Sequence, residues 1–125
     1  MPLRLSRRER EILDVLHRLG TASAADVRAA LDDPPSDSAV RTHLRILEEK
    51  GHARHEQDGP RYVYLPVQSR EVAGRSALRH LTRTFFDGAP ERAVAALLDE
   101  ASADLSDADL DHLDDLIQRA RAQGR

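Results

Sequence analysis

The chain has 125 residues, of which 40% are hydrophobic and 33% charged, with a formal net charge of −3 and a pI near 6.0. It contains no cysteine, which excludes disulfides and thiolate metal sites. No apolar run approaches the length of a membrane span and the N-terminus has no hydrophobic signal core, so we expect a cytoplasmic protein without membrane insertion.

The first predicted helix begins at a serine. Ser6 and Glu9 have the spacing of a capping box, in which the serine oxygen accepts from one free backbone N–H and the glutamate reaches back to another. Gly20 is placed to end this helix. Between these ends the sequence predicts one apolar face made of Ile12, Leu13, Leu16 and Leu19.

Two more helices are predicted before residue 52. Ser23 is placed to cap a short second helix, whose inward residues are Val27, Ala30 and Leu31. The run Asp32-Asp33-Pro34-Pro35 then breaks the chain. Ser36 is placed to cap the third helix and Gly51 to end it. This third helix has a buried stripe at i, i+4 and i+7, formed by Val40, Leu44 and Leu47.

The opposite face of the third helix is polar and basic. At about 100° per residue, four side chains fall together roughly 150° around from the stripe: Ser38, Arg41, Thr42 and Arg45. Arginines and small hydroxyls are the side chains that read guanine edges and bind phosphates when a helix lies in the major groove. His43 is open to two interpretations, packing beside the core or contact with the groove.

A β-hairpin is predicted directly after this helix. Ala53 to Gln57 should pair with Arg61 to Leu65 across an Asp58-Gly59 turn. Alternation places Val63 and Leu65 on one face of the ribbon and Tyr62 and Tyr64 on the other. The polar residues near the tip are Arg54, His55 and Arg61. Three short helices followed by a hairpin have the order of a winged helix-turn-helix domain.

The remainder is predicted to form three amphipathic helices, the first from about Ser69 to Phe86. They offer too little material for a separate core, and the chain has only two Phe, two Tyr and no Trp. Pairing with the same helices of a second copy would bury their apolar stripes. The residues expected at this dimer seam are Leu78, Leu81, Phe85, Val94, Leu97, Leu98, Leu110, Leu113, Leu116 and Ile117.

The sequence thus predicts a mainly α fold with a small β-hairpin wing. A winged helix domain would occupy residues 1–68, and a three-helix dimerisation domain residues 69–125. Charge is distributed unevenly: residues 1–70 hold 12 basic and 11 acidic residues, net +1, whereas residues 71–125 hold 7 and 11, net −4. An acidic distal part would orient the first half toward DNA.

The run V-R-T-H-L-R-I-L-E-E-K-G, with the D-G wing and Y-V-Y-L-P after it, resembles the BlaI/MecI/CopY family of penicillinase repressor-type regulators. The opening L-S-x-x-E-x-x-I-L-x-x-L and the tail R-T-F-F-D-G-A-P-E-R-A-V-A-A-L-L-D have the same layout. The resemblance implies a homodimeric repressor on a palindromic, double-stranded operator. The DNA-binding positions that it implies are Ser38, Arg41, Thr42, His43, Arg45, Arg54, His55, Arg61 and Tyr62.

Two departures concern the inducing signal. Relatives that answer β-lactams are cut by a partner membrane metalloprotease at an Asn-Phe bond, but residues 93–101 here read A-V-A-A-L-L-D-E-A. Copper-sensing relatives carry paired cysteines near the C-terminus, and this chain has none. The metalloprotease is therefore a candidate partner only, and the signal does not carry over.

Other interpretations remain open at this point. Arg41 and Arg45 could be solvated residues paired with Glu48 and Glu49 one turn on. The acidic pI would suit a winged helix protein-interaction module without specific DNA binding. His52 and His55 lack a fixed third zinc ligand, and no acidic loop has the spacing of a calcium site. No catalytic constellation is visible, so we expect a non-enzyme without a cofactor.

Overall fold

The computed structural model describes residues 4–124 and contains eight regular elements. They follow the predicted order, with three helices, a two-stranded antiparallel hairpin and three more helices. The elements are α1 (Arg7–Leu19), α2 (Ala24–Ala30), α3 (Asp37–Glu49), β1 (Ala53–Asp58), β2 (Arg61–Pro66), α4 (Arg70–Phe85), α5 (Pro90–Ala101) and α6 (Asp107–Ala122). This arrangement confirms the predicted fold class.

Serine caps define where five of the helices begin. In each case the hydroxyl oxygen accepts a hydrogen bond from the backbone N–H three residues on, at 3.1–3.2 Å. These bonds satisfy amides that have no partner within the helix, which is why the chain turns into a helix at these points. The capping residues are Ser6, Ser23, Ser36, Ser69 and Ser106.

The second hydrogen bond of the predicted capping box at α1 is not formed. The Ser6 hydroxyl accepts from the Glu9 N–H, but the Glu9 carboxylate does not return to the Ser6 N–H. Instead it accepts from the Ser6 hydroxyl at 2.7 Å and from Lys50 Nζ at 2.6 Å. Lys50 also donates to the Arg4 carbonyl at 2.7 Å. The Glu9 carboxylate thus accepts from a lysine that is distant in sequence and not from the Ser6 N–H. This ion pair joins the start of α1 to the end of α3.

The core of the N-terminal part is formed by the inner faces of α1, α2 and α3. Its fully buried side chains are Ile12, Leu16, Val27, Val40, Leu44 and Leu47. The predicted stripe of α3 is therefore confirmed. Leu19 departs from the prediction because it lies at the end of α1 and is 46% exposed, whereas Val15 is buried in its place.

The hairpin differs from its prediction at the turn. Asp58 pairs with Arg61, so the two-residue turn is Gly59-Pro60 and not Asp58-Gly59. Gly59 has a φ of 64°, a conformation that glycine adopts without steric cost. On β2 Val63 is buried and Tyr62 exposed.

A short bridge that was not predicted attaches the hairpin to the α1–α2 connection. The Ala22 and Tyr64 backbones exchange two hydrogen bonds, of 3.0 and 2.7 Å. The Tyr64 side chain packs against the core. The wing is thus fixed to the body through β2.

The chain divides into two compact units between Ala77 and Leu78, inside α4. The domain boundary expected between residues 68 and 69 stays a prediction. Helices α4, α5 and α6 contain no buried residue in the described chain. Within residues 4–124, no helix has both the length and the apolarity needed to cross a bilayer.

The Glu9–Lys50 ion pair should contribute to stability in a pH-dependent way. The Lys50 ammonium, and after it the Ser6 hydroxyl, lower the pKa of Glu9 from its ordinary value. A carboxyl whose pKa is lower in the folded state stabilises the fold above its unfolded pKa, and this contribution is lost as the pH falls through the folded pKa.

We therefore predict that Glu9→Gln lowers the free energy of unfolding at pH 7 by about 1–3 kcal/mol. The deficit should shrink in acid, where the wild-type carboxyl is protonated too. Urea denaturation at a fixed protein concentration, repeated at decreasing pH, measures both effects. Glu11→Gln is the matched control, since its side chain is 42% exposed and its ion pairs with Arg7 and Arg8 lie at the surface. A deficit that did not change with pH would contradict the assignment.

Candidate nucleic-acid interface

The rotation of α3 about its axis decides which side chains meet solvent. Val40, Leu44 and Leu47 are each 0% exposed, so the opposite face is turned outward. The four residues predicted on that face are all exposed: Ser38, Arg41, Thr42 and Arg45. The Thr42 hydroxyl donates to the Ser38 carbonyl at 2.9 Å, and the Ser38 and Ser36 hydroxyls lie 3.3 Å apart.

Three of the four arginines predicted to bind DNA are paired with a nearby acid. Arg45 donates to Glu49 at 2.6 Å, Arg54 to Glu56 at 2.7 Å, and Arg61 to Asp58 at 3.5 Å. The alternative interpretation, in which Arg41 and Arg45 pair with acids one turn on, therefore holds for Arg45 and not for Arg41. These pairs are exposed, and exposed ion pairs contribute only about 0–1 kcal/mol. They can be exchanged for phosphate contacts at little cost.

Arg41 is the exception among these arginines. It is exposed and has no hydrogen bond or ion pair to any residue in the described part of the chain. Its guanidinium can therefore reach a base edge without first breaking an ion pair. Arginine is well suited to that contact because its planar fork bonds both acceptors of guanine.

Arg41 also connects two clefts between the helices and the wing. The first, of about 560 Å³, is lined by Ser23, Ala24, Ala25, Arg41, Gln57, Pro60, Arg61, Tyr62 and Tyr64. The second, of about 380 Å³, is lined by Arg41, Thr42, Arg45, Glu48, His55, Tyr62 and Tyr64. Six of the predicted DNA contacts are thus brought together around these clefts, whereas Ser38, His43 and Arg54 line neither.

The three histidines singled out in the sequence have different surroundings. His55 Nδ1 lies 2.7 Å from both carboxylate oxygens of Glu48, and its ring packs against Tyr62 with centroids 4.4 Å apart. His43 is half-buried and its Nδ1 is shielded without a partner, as is Nε2 of His52. Between residues 4 and 124 no three His, Asp or Glu side chains are grouped as a metal site would require.

Seven cleft residues were not among the predicted DNA contacts, and they include Glu48, Gln57 and Tyr64. Tyr64 shares a strand face with Tyr62, and this alternation was the available signal. Burial, and after it the charge of Glu48, raises the pKa of the Tyr64 phenol. Nothing local in the sequence pairs Glu48 with the wing, because that contact depends on how the hairpin folds back.

An exposed basic helix face, with a wing beside it and a buried stripe behind, defines a winged helix DNA-binding transcriptional regulator. The chain belongs to the Penicillinase repressor family, whose model matches residues 5–119. This match confirms the predicted family. No curated protein is significantly similar to the chain.

Three solved structures are similar to this chain. A variant of ZitR from Lactococcus lactis is 16% identical, over 98% of this chain and 77% of its own, with a TM-score of 0.54. That likeness shows the fold alone. An ArsR-like transcriptional regulator from Rhodococcus sp. RHA1 is 25% identical, over 77% and 83% of the two chains, with a TM-score of 0.45. BpsR of Bordetella bronchiseptica is 16% identical, over 93% and 75%, with a TM-score of 0.49.

We predict that Arg41→Ala weakens binding to a duplex selected by the wild-type protein from a randomised pool, and relaxes preference at one base pair. A bidentate arginine–guanine contact carries about 1–3 kcal/mol of discrimination. Repeating the selection with the variant measures both effects.

Arg61→Ala on the wing is the comparison variant. It should weaken binding to all duplexes alike and reduce the slope of log affinity against log salt by about one unit. Unchanged affinity and selectivity in both variants would show that this helix and wing do not contact DNA.

Proposed function

We propose that this regulator is a homodimeric repressor that acts in the cytoplasm on a palindromic operator. The observation that carries the proposal is the unpaired Arg41 on the outward face of α3, beside the wing, in a chain that belongs to the Penicillinase repressor family. A family of DNA-binding regulators supplies the class, and this arginine supplies a residue that can read sequence.

Each protomer would place α3 in the major groove and its wing on the flanking backbone. Arg41 and Thr42 are proposed to face base edges. Residues around them are proposed to position the helix by contacting phosphates, and include Ser38, His43, Arg45, Arg54, His55, Arg61 and Tyr62. With a two-fold axis between protomers, the half-sites would be centred about one helical turn, 10–10.5 base pairs, or slightly more apart.

The C-terminal helices support the proposed dimer. Nine of the ten residues predicted at the seam are exposed in the single chain, from 38% for Leu98 to 69% for Phe85, and Leu113 is half-buried. Exposed apolar side chains in this number are unusual on a monomer and typical of an interface. Full burial of such a side chain contributes about 1.5–3 kcal/mol. A second copy of the same helices would cover them.

Specific DNA binding is the point on which the repressor differs from a protein-interaction module. The module is favoured by the net charge of −3 and by the acids that neutralise three of the interface arginines. A gel-shift titration against the DNA upstream of the chain's own coding sequence, at two salt concentrations, separates the two. Specific binding that weakens steeply with salt supports the repressor, and the absence of specific binding supports the module.

We predict that Leu97→Asp makes the protein monomeric at micromolar concentration. Leu97 is 66% exposed in the single chain, so the substitution is tolerated by the monomer but places an unpaired carboxylate in the proposed seam. Sedimentation velocity measures the state. Leu19→Asp is the control, since Leu19 is 46% exposed on α1 and lies outside the seam. A wild-type protein that sedimented as a monomer would contradict the proposed dimer.

Release of the operator by proteolysis would require a cut that differs from the Asn-Phe bond, because the sequence contains no asparagine. The cut would fall within α5, near Ala96-Leu97-Leu98, and would divide the proposed seam. Each protomer would then bind alone and lose the effective-concentration advantage of linkage.

Incubation with a co-encoded membrane metalloprotease, followed by mass analysis, tests this route. We predict fragments that end within α5, together with a steep loss of affinity for a two-half-site duplex. A chain that stays intact at 14.0 kDa and still leaves its operator on induction would exclude proteolysis.

A further inference from the structure

One side-chain pair connects the recognition helix α3 to the wing. His55 Nδ1 lies 2.7 Å from each carboxylate oxygen of Glu48. The His55 ring also packs against Tyr62, with centroids 4.4 Å apart and planes tilted by 33°. Within residues 4–124, no other side-chain hydrogen bond or ion pair joins α3 to the hairpin: Arg41 is unpaired, and the other charged residues of both elements pair elsewhere.

The wing needs such a contact on its β1 side. Ala53 is the only buried residue of β1, and the other five residues of that strand are exposed. The backbone bridge to Ala22 holds β2, whereas beyond the buried Ala53 the strand β1 is held only through its pairing with β2. A two-stranded ribbon is only marginally stable by itself, so a side-chain contact on the free strand affects its orientation.

Glu48 is available to the wing because the arginine that could pair with it along the helix already has a partner. Arg45 lies one turn back on the same face of the helix, but it is paired with Glu49 at 2.6 Å. Glu48 therefore extends into the cleft that Arg41, Thr42 and Arg45 also line. A carboxylate at this point repels DNA phosphates, and both of its oxygens lie at His55 Nδ1, so we assign its effect on recognition to positioning.

We propose that Glu48 is a positioning residue of the DNA interface: it fixes the wing against the recognition helix through His55 and so sets operator selectivity. The inference rests on the proposed function. It assigns a role to an acid that was not among the predicted DNA contacts, and it gives His55 the additional role of holding the wing.

The test compares the affinity of each variant for two duplexes of equal length and composition. One is selected by the wild-type protein from a randomised pool, and the other is its scrambled version. Glu48→Ala should raise affinity for the scrambled duplex, because a repulsive charge is lost, and lower the ratio of selected to scrambled affinity about three- to tenfold. His55→Ala should lower the ratio similarly, and the double variant should lower it no further.

Two variants separate positioning from charge. Glu48→Gln retains an oxygen that accepts from the His55 ring N–H, so it should keep the wild-type ratio while raising both affinities. Asp37→Asn removes an exposed carboxylate of the same helix that pairs with Arg28 and does not touch the wing, so it should raise both affinities by the same factor.

An equal rise for both duplexes in Glu48→Ala, as in the Asp37 control, would overturn the proposal, and so would additive effects in the double variant. His55→Ala alters only the exposed wing, so it tests the same ratio if thermal unfolding shows Glu48→Ala to be unstable. A wild-type protein that preferred no duplex would instead refute the proposed function.

Discussion

The architecture of the interface depends on the buried stripe of α3. Val40, Leu44 and Leu47 are fully buried against α1 and α2, and each would lose about 1.5–3 kcal/mol on exposure to water. This cost fixes the rotation of the helix and turns Arg41 and Arg45 outward. The Glu9–Lys50 ion pair fixes the end of the same helix against α1. The wing then packs beside a face whose orientation is already determined, so the clefts follow from the core.

Among residues 4–124, the interface combines one unpaired arginine with several paired ones, which reconciles DNA binding with an acidic chain. Arg45, Arg54 and Arg61 are neutralised by acids close in sequence, in exposed pairs that are weak in water. A phosphate backbone carries a denser charge and can displace those acids. While they are paired, the acids lower the positive charge of the interface and hence its non-specific attraction for DNA. Arg41, in contrast, is not restrained by a partner. Selectivity would then depend on geometry, and hence on how the wing is held.

The C-terminal helices differ from the N-terminal core in how their apolar faces are covered. Two of them, α4 and α6, begin at a serine cap and all three have regular apolar spacing, yet no residue of α4, α5 or α6 is buried in the described chain. Local propensity alone does not make such helices stable, since most helical stability in proteins comes from packing an apolar face. Their stability therefore has to come from whatever covers them, and we propose a second copy of the chain.

The sequence by itself determined the order of elements, the serine caps, the stripe of α3 and the outward position of its arginines, because these depend on periodicity and local hydrogen bonds. The family could also be identified from the helix-to-wing run. The tertiary structure decided the Glu9–Lys50 pair, which replaced a predicted capping box, and the Ala22–Tyr64 bridge that fixes the wing. It also decided the Gly59-Pro60 turn and the partner of Glu48. Each of these features depends on which groups come into contact once the core is packed, so the spacing of residues along the chain does not predict it.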